Sequence, residues 1–237
     1  MEKKILRRDV LALLGAAAGA ALAAGCGGDT VTPTGPSTTT AGSATPPAGG
    51  TSNAACAVTP SETVGPYPSV TDLLRSDIRE DRTGTPLTLT ITVVNTNSGC
   101  SPVAGANVEI WQCDATGNYS QYGTQTTRTY LRGIQTTNAS GQVTFTTIYP
   151  GWYQGRATHI HVEVVRNGAS SKVTQIAFPE SANAAVYGTG VYASRGRNPV
   201  SNTSDMVFAD SVNSELAVVT GDPASGMSAT FQVGIAA

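Results

Sequence analysis

The chain has 237 residues, of which 13% are charged, and its 14 basic and 16 acidic residues give a formal net charge of −2. Residues 1–25 hold four of the basic and two of the acidic residues, so the remaining chain carries −4 and a single lysine, Lys172. Nucleic-acid binding needs a basic surface, and this composition excludes that class of function. The 26 glycines and many Thr, Ser and Val residues indicate a turn-rich β protein.

The first 25 residues are predicted to be an export signal. A positive region at residues 3–8 precedes an apolar run at residues 10–24, which is short for a membrane-spanning helix and typical of a signal peptide. Arg7 and Arg8, followed by Asp-Val-Leu, resemble a twin-arginine signal. We therefore expect the protein to be exported to the cell envelope.

Residues 22–26, Leu-Ala-Ala-Gly-Cys, resemble a lipoprotein processing box that ends at Cys26. Lipidation of Cys26 would anchor the mature chain to a membrane surface. Ordinary cleavage near Ala24 would instead release a free secreted protein, and the sequence leaves both outcomes open.

The next segment, residues 26–55, is predicted to be a flexible linker. It contains one charged residue and almost no large apolar side chains. Such a stretch cannot bury enough surface to offset the entropy lost on ordering. Residues 56–237 are therefore predicted to form the single folded domain, which contains Cys56, Cys100 and Cys113. An exported protein favours a disulfide, but three cysteines allow three pairings.

The folded part is predicted to be an all-β, antiparallel sandwich with long loops and little helix. Short β-prone runs end at Gly, Asn or Pro turns, a pattern typical of such folds. The predicted strands are Leu87–Val94, Ala106–Gln112, Gln142–Tyr149, His159–Val165, Lys172–Phe178 and Ser228–Gly234. One short helix is predicted at Thr71–Glu80, and Trp111 is expected to be a core residue.

The two histidines of the chain are His159 and His161, and both fall in one predicted strand. Side chains two residues apart in a strand point to the same face, so both imidazoles can reach one metal ion. Glu163 lies on that face as well. A loop rich in aromatic residues, Tyr149–Arg156, directly precedes the strand.

The identity of the other ligands is open at this point. Two histidines cannot complete a tris-histidine zinc or copper site. An iron(II) site with two histidines and one carboxylate would recruit Glu163 or Asp114. Tyr119 and Tyr153 offer the alternative, since a phenolate is a hard anionic donor that suits iron(III).

Five segments carry more specific motifs: Thr59–Tyr67, Val108–Ser120, Leu131–Gln135, Phe145–Tyr153 and Arg156–His161. The second contains Trp-x-x-Asp-Ala-x-Gly-x-Tyr, and the fourth ends in Tyr-Pro-Gly-Trp-Tyr. In this order and with these spacings, they resemble the intradiol ring-cleavage dioxygenases. The resemblance runs from about Cys56 to Phe208, although the helical dimerisation region of the soluble members has no counterpart here.

The resemblance implies a non-haem Fe(3+) ion held by Tyr119, Tyr153, His159 and His161, with a solvent hydroxide. It also implies that Tyr153 takes up a proton from a catechol-type substrate and that Arg156 and Gln175 stabilise developing charge. The implied reaction is cleavage of the ring between its two hydroxylated carbons with O2, which gives a muconate-type diacid. The sequence does not define which catechol is the substrate, nor the oligomeric state.

The alternative prediction belongs to another class of function. In it, the chain is a lipid-anchored β-sandwich that binds carbohydrate or cell-wall material without catalysis. Such a module is expected to expose aromatic side chains and to lack a matched set of metal ligands.

Overall fold

The structure is a computed structural model that describes residues 56–237. The predicted export signal, Cys26 and linker lie outside the described residues. The described part is an open sandwich of two β-sheets with two short α-helices, so the predicted all-β fold is confirmed.

Nine strands and two α-helices form the described part. The strands are β1 Pro86–Asn95, β2 Ser101–Pro102, β3 Asn107–Trp111, β4 Arg132–Thr136, β5 Gln142–Ile148, β6 His159–Arg166, β7 Ala169–Ala177, β8 Val218–Asp222 and β9 Gly226–Ile235. The helices are α1 Glu180–Tyr187 and α2 Val212–Glu215. All six predicted strands are confirmed, while β2, β4 and β8 were not expected from the sequence.

The first sheet is built around β1, which pairs with β9 on one side and with β2 and β5 on the other. The second sheet has the order β4-β3-β6-β7. The β1–β9 pair is parallel, and the other strand pairs of both sheets are antiparallel.

The core lies between the two sheets, and alternate residues of each strand fill it. Strand β1 contributes Leu87, Leu89, Ile91 and Val93, and β6 contributes Ile160, Val162 and Val164 to the same buried cluster. Strand β6 is also buried on its other face, which carries His159, His161 and Glu163. The period of two therefore places the histidines on the outer face of the second sheet.

Residues 59–78, which we call the crossing segment, run over that outer face. The Glu62 amide donates to the Val173 carbonyl of β7 at 2.9 Å. At the far edge of the sheet, the Ile134 amide of β4 donates to the Leu73 carbonyl at 2.7 Å. The segment thus covers the face that carries the histidines.

The prediction of a helix at Thr71–Glu80 is wrong. These residues form no helix and instead make parallel bridges, Leu74 with Ile134 of β4 and Asp77 with Thr146 of β5. Their amides and carbonyls bond to the edges of both sheets, where unpaired backbone groups need partners. Residues four apart in a helix share a face, but Leu74 is 79% exposed while Ile78 is fully buried. Backbone pairing with β4 and β5 therefore outweighs the local helix propensity of these residues.

The cysteines have a defined arrangement in the structure. Cys56 and Cys100 form a disulfide with a Cα–Cα distance of 5.4 Å, and Cys113 is buried and free. The disulfide joins Cys56, just before the crossing segment, to the turn that follows β1. Within residues 56–237 no helix is long and apolar enough to span a membrane.

The disulfide is expected to contribute substantially to stability, because it closes a loop with a sequence separation of 44 in the unfolded chain. The double variant Cys56→Ser/Cys100→Ser should lower the free energy of unfolding by about 2–4 kcal/mol, as measured by denaturant titration. The reductant-treated wild type should match the variant, and the variant should not respond to reductant. A loss of less than about 1 kcal/mol would contradict this account.

Candidate functional site

The site begins with the two histidines, whose ring nitrogens converge. The Nε2 atoms of His159 and His161 lie 3.1 Å apart, and both rings are buried. The His159 Nδ1 lies 2.7 Å from the Ala157 carbonyl oxygen, which can only accept, so Nδ1 carries the proton. The Nε2 lone pair of His159 is therefore directed towards His161.

Both imidazoles are held in the neutral form. Burial lowers the pKa of His159 to about 3, and the nearby Arg156 guanidinium acts in the same direction. Burial, His159 and Arg156 also lower the pKa of His161 well below its usual value. Neutral imidazole is the form that binds metal ions.

His161 is fixed between two neighbours. The Trp111 ring stacks on it at a centroid distance of 4.9 Å and an interplanar angle of 2°. Gly65 of the crossing segment lies so close that a Cβ built on it would be 2.8 Å from the His161 Cε1. Trp111 is buried, as expected of a core residue, but it also shapes the site.

Two tyrosines complete the cluster. The Tyr119 Oη lies 3.3 Å from the His159 Nε2, and the half-buried Tyr153 ring lies 5.6 Å, between centroids, from both Tyr119 and His159. Burial raises the pKa of Tyr119 well above its usual value. Burial also raises the pKa of Tyr153, although Arg156 partly opposes this.

Two tightly packed loops bring these tyrosines together. Tyr119 follows a turn in which the Asp114 carboxylate accepts from the Thr116 amide at 2.9 Å and the Asn118 amide at 3.0 Å. Tyr153 follows Gly151, whose missing side chain leaves room for the Asp114 carbonyl of that turn. A side chain at residue 151 would push the two loops apart.

Arg156 and Gln175 lie beside the cluster and bond to each other. The Arg156 Nη2 donates to the Gln175 Oε1 at 2.7 Å, and the Gln175 Nε2 donates to the Thr63 carbonyl at 2.9 Å. The Arg156 Nε donates to the Asp205 carboxylate at 2.9 Å. Asp205 is a residue that sequence reasoning missed, since nothing in its local sequence separates it from other acidic residues.

Arg132 of β4 is a second residue that sequence reasoning missed. Its buried guanidinium donates to the Ser120 carbonyl at 2.6 Å and to the Tyr67 carbonyl at 2.9 Å. The Tyr67 and Tyr119 rings stack at 4.6 Å. Arg132 thus ties the Tyr119 loop to the crossing segment, and burial lowers its pKa to about 10.

The cluster fits a metal ion. Two nitrogen ligands bound at about 2.1 Å and at a right angle lie about 3 Å apart, which agrees with the 3.1 Å between the Nε2 atoms. A cation there would accept the lone pairs of both Nε2 atoms. Two phenol oxygens and two imidazoles form a mixed O/N donor set suited to iron.

A carboxylate-based site is not formed. Among residues 56–237, no group of three or more His, Cys, Asp or Glu side chains comes together around a metal position. Asp114, a candidate for such a site, is engaged in its own turn and lies 3.5 Å from the Arg82 guanidinium. Glu163 lies opposite Glu109 in the sheet, two residues beyond His161. Any metal ion here would therefore depend on the tyrosines.

A cavity of about 130 Å³ adjoins the tyrosines. Its lining residues, which are all uncharged, are Tyr67, Gly117, Asn118, Tyr119, Tyr122, Gly123, Thr124 and Gln125. A larger cavity of about 430 Å³, between residues 84–86, 189–192 and 223–224, contains no histidine and no charged side chain. The smaller cavity is the better candidate, because Tyr119 of the cluster lines it.

Comparisons with known proteins point to one family. The family model Dioxygenase_C, described as "Dioxygenase", matches residues 63–195. The chain is similar to the intradiol ring-cleavage dioxygenase from Tetranychus urticae, with 32% identity, coverage of 76% of this chain and 95% of that chain, and a TM-score of 0.71.

Two further solved structures are similar. The dioxygenase domain of a dioxygenase carbohydrate-binding protein fusion from Streptomyces sp. SirexAA-E is 30% identical, with 75% of this chain and 97% of that chain covered and a TM-score of 0.57. The catechol 1,2-dioxygenase from Pseudomonas arvilla C-1 is 20% identical, with coverage of 75% and 62% and a TM-score of 0.56, and it shows the shared fold alone.

The close approach of Gly65 to His161 gives a testable prediction. Gly65→Ala should lower the free energy of unfolding by about 1 kcal/mol or more beyond the loss in Gly105→Ala, because its Cβ also collides with the ring. Gly105 is a matched control, since its φ of +76° resembles the +71° of Gly65 but nothing lies within 4 Å of its Cβ position. Denaturant unfolding and the NMR signals of the His161 ring are the measurements.

Equal losses in the two variants, with the His161 signals unshifted in Gly65→Ala, would contradict the packing described for this residue.

Proposed function

We infer the function from family and site together. The chain belongs to the intradiol ring-cleavage dioxygenases, because a dioxygenase family model covers more than half of it and a solved intradiol ring-cleavage dioxygenase is 32% identical over 76% of it. We propose that it is a non-haem iron(III) enzyme that cleaves catechol-type aromatic rings with O2. The observation that carries the proposal is the convergence of two neutral imidazoles, with Nε2 atoms 3.1 Å apart, on the phenol of Tyr119.

His159, His161, Tyr119 and Tyr153 would hold the metal ion. The pKa of each tyrosine is raised by burial, so neither phenol ionises without a nearby positive charge. Two phenolates would offset two of the three charges of Fe(3+) and so favour the ferric over the ferrous form. When bound, ferric iron would draw electron density from a catecholate and make a ring carbon reactive towards O2.

Tyr153 is suited to proton transfer. It is half-buried, whereas Tyr119 is buried, and the Arg156 guanidinium stabilises its phenolate. Its Oη would take up one phenolic proton as the substrate binds. Tyr153, the more accessible of the two tyrosines, is thus the one that can move away from the metal position when substrate binds.

Arg156 and Gln175 would stabilise negative charge that develops on the substrate. Their mutual hydrogen bond and the bonds to Asp205 and Thr63 fix both side chains before any substrate arrives. Such preorganised groups need no rearrangement during the reaction, which is why they are effective.

The substrate would be a small aromatic diol. Tyr67, Tyr119 and Tyr122 form an aromatic wall of the adjoining cavity, and its small volume and uncharged lining fit a single ring. Aromatic side chains favour stacked or edge contacts with such a ring.

The non-catalytic binding module is less well supported. Among the described residues, the large exposed hydrophobic side chains are those of Val, Leu and Met, and no Phe, Tyr or Trp is exposed. A surface that binds carbohydrate by stacking would present such rings.

The expectation of export and lipid anchoring at Cys26 remains part of the proposal. The Cys56–Cys100 disulfide supports it, because disulfides persist in oxidising compartments outside the cytoplasm. In the native host, Cys26→Ser should move the protein from the membrane fraction to the soluble exported fraction, and metabolic labelling with a fatty acid should be lost. Unchanged membrane association of the variant would refute the anchor.

The central experiment is reconstitution of the full-length protein with ferric iron. We expect a visible tyrosinate-to-iron(III) absorption band that shifts when catechol is added without O2. Admission of 18O2 should then give a muconate-type diacid with both oxygen atoms incorporated.

Paired tyrosine variants make the experiment specific. Tyr119→Phe should abolish or strongly weaken the band, while Tyr122→Phe should retain it, since Tyr122 instead donates to the Pro68 carbonyl at 2.8 Å. A colourless wild type after reconstitution, or equal bands in both variants, would overturn the proposed ligand set.

A further inference from the structure

Asp205 is fully buried, and its carboxylate is surrounded by N–H donors. One oxygen, Oδ2, accepts from the Arg156 Nε at 2.9 Å and from the Ala157 amide at 2.6 Å. The other, Oδ1, accepts from the Val207 amide at 2.8 Å and from the Phe208 amide at 3.3 Å. The carboxylate therefore joins the loop of residues 205–208 to the segment that leads into β6.

We propose that Asp205 is a positioning residue of the site, which sets both the His159 ring and the Arg156–Gln175 pair. The inference rests on the proposed function and deepens it. Asp205 lies beyond residues 63–195, the part matched by the family model, so this role falls to a segment outside that match.

Two chains of hydrogen bonds, which we call branches, start at the Asp205 carboxylate. The first branch runs through the backbone to His159. Asp205 holds the Ala157 amide, and the carbonyl of the preceding Arg156 accepts from the Asn198 Nδ2 at 3.0 Å, so this peptide is fixed at both ends. The Ala157 carbonyl accepts from the His159 Nδ1 at 2.7 Å. A fixed Ala157 thus keeps the proton on Nδ1 and leaves the Nε2 lone pair directed at the site.

The second branch runs through side chains to Gln175. Asp205 binds the Nε of Arg156, and the Nη2 of the same guanidinium binds Gln175, whose amide donates to the Thr63 carbonyl. The planar guanidinium is set by the Nε contact, so Asp205 determines where its remaining donors point. The crossing segment is joined to this chain of hydrogen bonds at Thr63.

The hydrogen-bond partners at position 205 require a carboxylate. An ionised carboxylate offers acceptors alone, and all four groups that face it are N–H donors. Burial acts to raise the pKa of Asp205, but bonds from Arg156, Ala157 and Val207 outweigh it and keep the pKa below its usual value. An asparagine would fill the same volume but would turn an NH2 group towards one of the two donor pairs.

Three variants of the full-length protein test the inference. Asp205→Asn changes the carboxylate alone, and Arg156→Gln removes the guanidinium branch while it leaves the Ala157 amide bonded to Asp205. Asp210→Asn is the control, because it removes one negative charge from an exposed side chain of the same segment. Two readouts are used: the imidazole 15N–1H spectrum of the metal-free protein, and the affinity for ferric iron by titration.

We expect a slowly exchanging Nδ1–H signal of His159 in the wild type, in Asp210→Asn and in Arg156→Gln. In Asp205→Asn this signal should be lost or replaced by mixed tautomers, and the affinity for ferric iron should fall about tenfold or more. The affinity of Arg156→Gln for ferric iron should fall less than that of Asp205→Asn, since the histidine branch is intact and only the guanidinium that stabilises the Tyr153 phenolate is lost.

Wild-type signal and affinity in Asp205→Asn would overturn the inference. So would loss of the His159 signal in Arg156→Gln, because Asp205 can still bind the Ala157 amide in that variant. This second arm can overturn the inference even if Asp205→Asn does not fold. A wild type that binds no ferric iron would refute the proposed function instead, while the metal-free spectra would still decide the role of Asp205.

Discussion

The site depends on one row of side chains across the outer face of the second sheet. The register pairs Arg132 with Trp111, Trp111 with His161, and His161 with Gln175, across four adjacent strands. Directly opposed residues share a face and lie within contact distance. A shift of β6 by one residue would turn both histidines into the core and their apolar neighbours outward, so core packing enforces the position of the site.

Each member of the row fixes a different part of the surroundings. Trp111 orients the His161 ring, Arg132 binds the Tyr119 loop and the crossing segment, and Gln175 connects that segment to Arg156. The sheet thus supplies rigid positions, while the loops supply the two tyrosines. This division agrees with the general rule that functional groups lie on loops held by a rigid scaffold.

The convergence of donor atoms is the feature that distinguishes this cluster. Two buried imidazoles have Nε2 atoms 3.1 Å apart, and the Tyr119 Oη lies 3.3 Å from the Nε2 of His159. A bound cation would accept the nitrogen lone pairs and favour the phenolates of two tyrosines whose pKa is raised by burial. The cluster therefore supports the proposed metal site.

Much of the fold was predictable because the long strands have a clear alternation of apolar and polar residues. The histidine pair could be placed on one face for the same reason, and motifs identified the tyrosines. Strands β2, β4 and β8, and the non-helical path of residues 71–80, could not be predicted. Their backbone hydrogen bonds are made with distant segments, which local propensity does not encode.

The roles of two buried charged residues of the site could not be predicted from the sequence either. Asp205 and Arg132 acquire their roles only from partners distant in sequence, such as Arg156 for Asp205 and Tyr67 for Arg132. The disulfide pairing had the same limitation, because three cysteines offered equivalent choices until Cys56 and Cys100 were placed side by side.

A crystal structure of the iron-loaded protein with anomalous data collected at the iron absorption edge tests the central claim most directly. We expect a single strong anomalous peak within bonding distance of the Nε2 atoms of His159 and His161 and of the phenol oxygens of Tyr119 and Tyr153. A peak elsewhere, or a histidine–tyrosine cluster without one in a crystal that contains iron, would contradict it.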